Sequence, residues 1–126
     1  MTRLDTNYIL RYLLNDNEEM AAVAEEVILH QEVHISNEVW AEVVYVLEGV
    51  YNLEKKKISQ VLLSLLRADN IQVVDKYNLV KALEIFAQKK LDFVDCLLCA
   101  YAELDEVLTF DKKLKKCVEN RGNSMM

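Results

Sequence analysis

The stretch V-H-I-S-N-E-V-W-A-E-V-V-Y-V-L-E-G-V-Y, residues 33–51, holds the junction on which the fold depends. Val33–Ile35 is a short apolar run of strand type. Ser36 or Asn37 then offers a side-chain oxygen to cap a helix N-terminus, and helical spacing carries on to about Tyr51. A strand that feeds straight into a capped helix is the start of a crossover unit, because a parallel partner strand can be reached only through a long connection.

The same grammar repeats in both directions. Upstream, residues 2–5 read as a short strand. Asn7 to Leu14 is a helix with Ile9, Leu10, Leu13 and Leu14 on one side. Residues 17–31 form another, with Met20, Val23, Ala24, Val27 and Ile28 at helical spacing. Downstream, Leu53 to Arg67 is a helix that turns Ile58, Val61, Leu62, Leu65 and Leu66 inward. Ile71 to Val74 is a strand, Lys76 to Lys90 and Asp92 to Leu104 are helices, Glu106 to Thr109 is a fourth strand, and a short basic helix follows. The order β-α-α-β-α-α-β-α-α-β-α predicts an α/β fold, a three-layer α/β/α sandwich around a short parallel sheet of four strands. No proline and no Ser- or Gly-rich linker divides residues 1–126, so they are read as one domain with one core.

Composition narrows the functional classes. With only Gly49 and Gly122, the chain can build neither a dinucleotide fingerprint nor a phosphate loop. No apolar run is long enough to span a bilayer, and the N-terminus lacks the apolar region of a signal peptide, so the chain is read as cytoplasmic with no membrane partner. Its net charge of −6 opposes nonspecific binding to nucleic acid. Two basic runs depart from that average: Lys55–Lys57, and Lys112, Lys113, Lys115 and Lys116. Each is either a solvated helix face or a nucleic-acid contact. Cysteines stand at 96, 99 and 117. The odd count does not suggest a disulfide framework, and Cys96 and Cys99 lie inside an apolar helical run, where they read as small buried residues. His30 and His34 complete no zinc pattern with them.

The informative residues are four carboxylates at the edges of apolar segments or within them. Asp5 closes the first strand, Glu42 interrupts V-W-A-E-V-V-Y-V-L, Asp95 opens D-C-L-L-C-A-Y-A, and Asp111 follows V-L-T-F. Ligands of open parallel sheets bind beyond the carboxyl ends of the strands, where Asp5 and Asp111 fall. Each acid also has a bland reading. Asp5 and Asp111 can cap the helices after them, Asp92 and Asp95 can cap a helix reciprocally, and Glu38 suits the positive end of a helix dipole. Glu42 resists this reading. Its apolar flanks predict a largely buried position, and no Lys or Arg lies three or four residues away. Gathered acids oppose one another's ionisation, and a hard divalent cation, Mg²⁺ or Mn²⁺, resolves the conflict while activating water.

With these residues in place, the chain resembles the PIN domain family, specifically the VapC-type toxin nucleases. L-D-T-N-Y-I-L-R (4–11), I-S-N-E-V-W-A-E-V-V-Y-V-L (35–47), L-D-F-V-D-C-L-L-C-A-Y-A (91–102) and L-T-F-D-K-K-L (108–114) look like the family's four motifs in order. The resemblance implies a metal-dependent endoribonuclease with an RNA substrate, a cognate antitoxin that blocks the site, and a homodimer. It implies that Asp5, Glu42, Asp95 and Asp111 hold the metal, with Asp92 as an extra ligand. Asn7, Arg11, Thr109 and Lys112 would orient substrate or water. The chain ends soon after the fourth motif, which leaves the family's last strand, a fifth, short or missing, so the resemblance implies a sheet of four or five strands. Three other readings compete: an RNA-processing nuclease of the same fold without an antitoxin, a non-catalytic binding module whose acids are caps, and a phospho-acceptor domain, which the wide spread of the acids fits poorly.

Overall fold

The computed structural model describes residues 1–124. Three strands, β1 (Thr2–Arg3), β2 (Val33–His34) and β3 (Ile71–Gln72), form a parallel sheet in the order β1-β2-β3. Thr2 pairs with Val33 and Arg3 with His34, then Val33 with Ile71 and His34 with Gln72. Backbone bonds carry the pairing slightly further: Leu4 donates to the His34 carbonyl and Ile35 to that of Gln72. Two helices make each crossover. These are α1 (Thr6–Leu14) and α2 (Glu18–His30), then α3 (Asn37–Gly49) and α4 (Lys55–Leu66). After β3 come α5 (Lys76–Gln88), α6 (Phe93–Tyr101) and α7 (Lys112–Ser124).

The helix starts follow capping chemistry. Asp5, Asn17, Asp75 and Asp92 each accept a backbone N–H from three residues on. Ser36 occupies the cap position of α3 without a side-chain bond. With so few glycines, asparagine takes the left-handed positions: Asn15 ends α1 at φ 50° and Asn52 sits in the α3–α4 loop at φ 56°. One core runs from Leu4 to Cys117 and centres on Trp40, Phe86, Leu62 and Leu83, all fully buried. Phe86 meets Phe93 edge to face at 6.0 Å between ring centroids.

Four expectations need correction. The fourth strand is absent among the described residues. Residues 106–109 are irregular, and Leu108 and Phe110 stand in solvent at 84% and 106% exposure. A strand is completed by its ladder partner, and this segment has none, so the sheet has three strands rather than four or five. The buried face of α2 is Ala21, Ala24 and Ile28, while Met20 and Val23 are exposed. Glu42 is also exposed: Glu38, Glu42, Tyr45 and Gly49 form the outward stripe of α3, and Trp40, Val43, Val44 and Leu47 form the inward one. Finally, Cys99 does not stand alone. It is disulfide-bonded to Cys117 across α6 and α7, with Cα atoms 5.9 Å apart.

Candidate active site

The site is built where α6 and α7 begin. Lys55, at the first turn of α4, fixes the approach to α6. Its ammonium donates to the Leu91 carbonyl at 2.6 Å, lies 3.7 Å from the centre of the Phe86 ring and faces Glu48 at 3.8 Å. One member of the first basic run is therefore a structural anchor. Asp92 then caps α6 by accepting from the Asp95 N–H at 2.9 Å, and buried Phe93 sets the helix on the core. This leaves Asp95 half-buried in the first turn.

A loop carries the chain to α7, where the same device recurs. Asp111 accepts from the Leu114 N–H at 2.9 Å, and Thr109 Oγ1 accepts from the Asp111 N–H at 3.0 Å. Thr109 therefore shapes the turn that presents Asp111. Leu114 and Cys117 bury α7 against the core, and the Cys99–Cys117 bond joins it to α6. The outcome is electrostatic. The Asp95 carboxyl is held above the usual carboxylate range, first by burial and then by the charges of Asp92 and Asp111. Three carboxylates from two elements thus share one field.

The other expected residues stand on other elements or, like Lys112, further along α7. Asp5 caps α1, accepting from Tyr8 N–H at 2.9 Å. With Asn7 and Arg11 it lines a cleft of about 470 Å³ against Asn17 and Met20. Arg11 binds Asp16 at 3.0 Å and donates to the Tyr51 hydroxyl at 3.4 Å; the Tyr51 bond is the main cause of its raised pKa. Glu42 points outward on α3, and neither it nor Asp5 is among the charges acting on Asp95. Lys112 is exposed at the start of α7. Among the described residues, no three His, Cys, Asp or Glu side chains converge tightly enough to form a ready metal group. The donor chemistry nevertheless suits a hard cation, because the strain on Asp95 is the kind that a cation relieves.

Sequence reading missed three features. The disulfide joins positions 18 apart on two helices, a pairing that spacing alone does not reveal. Asn37 Nδ2 donates to the Tyr101 hydroxyl at 3.1 Å, linking α3 to α6, and its buried Oδ1 has no hydrogen-bond partner among the described residues. Lysines 89 and 90, outside both basic runs, lie beside the α7 lysines. The free cysteine, Cys96, is buried, and burial pushes its thiol up to about 12.

Comparison with known proteins defines the class. The PIN domain family model matches residues 3–119, nearly the whole chain, and the protein belongs to that family. A VapC ribonuclease of Aquifex aeolicus (strain VF5) is 28% identical over 123 residues, covering 92% of this chain and 91% of the relative. No solved structure gives a significant match. No helix among the described residues is long and apolar enough to cross a membrane.

Proposed function

We propose that this protein is an endoribonuclease that hydrolyses RNA phosphodiester bonds with the help of Mg²⁺ or Mn²⁺. Family membership and likeness to a VapC ribonuclease support the reading. The observation that carries it to particular residues is the strain on Asp95. A half-buried carboxylate facing two further acids is unfavourable on its own and favourable beside a cation.

Asp95, Asp92 and Asp111 would hold the ion through carboxylate oxygens, joined by Asp5 and Glu42 from α1 and α3 in the three-layer α/β/α frame of the family. When bound, a divalent cation supplies an activated water and stabilises the departing oxygen of the phosphodiester. The chain's own residues do the positioning. Lys55 fixes the segment before Asp92, and the Thr109–Asp111 turn presents Asp111. Asn7, Arg11 and Lys112 stand in reserve as substrate contacts. The reading extends to a cytoplasmic toxin that forms a homodimer and is restrained by a cognate antitoxin, as the VapC likeness suggests.

Purified protein incubated with structured RNA tests the reading, in Mg²⁺ or Mn²⁺ and in EDTA, beside Asp5→Asn and Asp95→Asn. Cleavage that needs the metal and is lost in both variants is expected. Cleavage that persists in EDTA or survives both substitutions would refute it.

A further inference from the structure

Lys89, Lys90 and Leu91, between α5 and α6, face Lys113, Lys116 and Cys117 of α7 across a cleft of about 220 Å³. None of these four lysines forms an ion pair among the described residues, whereas Lys55 and Lys81 do. Four lysines without an ion-pair partner among the described residues thus line one cleft, in a chain whose net charge is −6. Both walls adjoin the acidic residues along the chain: Asp92 follows Lys90 by two positions, and Asp111 precedes Lys113 by two. The Cys99–Cys117 bond holds the walls together.

We propose that this cleft binds the phosphate backbone of a single RNA strand and leads it to the Asp92–Asp95–Asp111 site. The inference rests on the nuclease reading above and adds to it the path of the substrate. Lysine ammoniums are point charges that neutralise phosphates without reading bases. The adjoining acids favour RNA over an acidic protein segment. They repel a carboxylate-rich chain outright, whereas a scissile phosphate would be drawn to a divalent cation where these acids hold one.

The test is binding without cleavage. A fluorescein-labelled oligouridine RNA is titrated in EDTA at several salt concentrations with wild-type protein, K89Q/K90Q, K113Q/K116Q and the charge-matched control K56Q/K57Q on α4. Each phosphate neutralised on a single strand contributes about 0.7 to the slope of log affinity against log salt. Each cleft double variant is therefore expected to lower the slope by about 1.4, with the control near wild type. Equal slopes in all four proteins, or an equal fall in the control, would overturn the proposal. So would poly-glutamate that, with Ca²⁺ in place of EDTA, binds as tightly as RNA with the same dependence on the lysines. RNA cleavage that persists beside lysine-independent binding defeats the cleft and spares the nuclease. Lysine-dependent binding without cleavage in any divalent metal does the reverse.

Discussion

Breaking the Cys99–Cys117 bond isolates the contribution of the α6–α7 clamp. The bond closes a loop of 18 residues. Loop-closure entropy for that length amounts to about 3 kcal/mol at room temperature. With an unfolding entropy of about 2.1 cal/mol/K per residue over the chain's 126 residues, that loss lowers Tm by about 11 °C. The assay is thermal unfolding of the oxidised protein, of the protein in dithiothreitol, and of Cys117→Ser. A thiol count on the unreduced, denatured chain shows whether the bond was present. One thiol, Cys96, is expected before reduction. The helix should remain docked after reduction, because Leu114 is still buried. The melt should therefore stay cooperative while shifting downward. Three thiols in the unreduced protein, or one thiol and an unchanged Tm on reduction, would refute the reasoning.

Other outcomes follow from the same structure. The folded-state pKa of Asp95 is raised, so its ionisation weakens the metal-free fold: stability is greater below the ordinary carboxylate range and falls as pH rises through the folded pKa. In EDTA, Asp95→Asn should melt higher than wild type at neutral pH, with the gap closing in acid; a variant that melts lower at neutral pH contradicts this. Lys55→Ala removes a charged hydrogen bond to Leu91 and the contact with Phe86. It should cost about 2 kcal/mol in urea unfolding and slow RNA cleavage as the Leu91–Asp92 segment loosens. Cys96, buried with its thiol near 12, should resist iodoacetamide at neutral pH in the folded protein and react once it is denatured. Phe86→Ala should destabilise by about 3–5 kcal/mol, read by the same urea series.

The helices were legible because their signals are local. Asp5, Asn17, Asp75 and Asp92 cap where an acceptor precedes apolar spacing, and each makes its bond. The parallel order was legible because every strand feeds a helix. The fourth strand failed because alternation in Glu106–Thr109 cannot supply a ladder partner. The burial of Glu42 was misjudged because its immediate neighbours are apolar on both sides, yet the helical repeat places it on the stripe with Glu38 and Tyr45. The acids at 92, 95 and 111 were recognised one by one. Their common field was not legible, since it depends on α7 packing against α6. The four cleft lysines went ungrouped for the same reason: two pairs far apart in sequence meet only through that packing.

Mn²⁺ binding followed by electron paramagnetic resonance tests the carboxylate site most directly, with wild type and Asp95→Asn titrated side by side at neutral pH. The expected result is loss of the free-ion signal on adding wild type, with the signal retained beside Asp95→Asn. Free Mn²⁺ beside wild type at concentrations that support RNA cleavage, or equal binding by the variant, would contradict a cation site at Asp95.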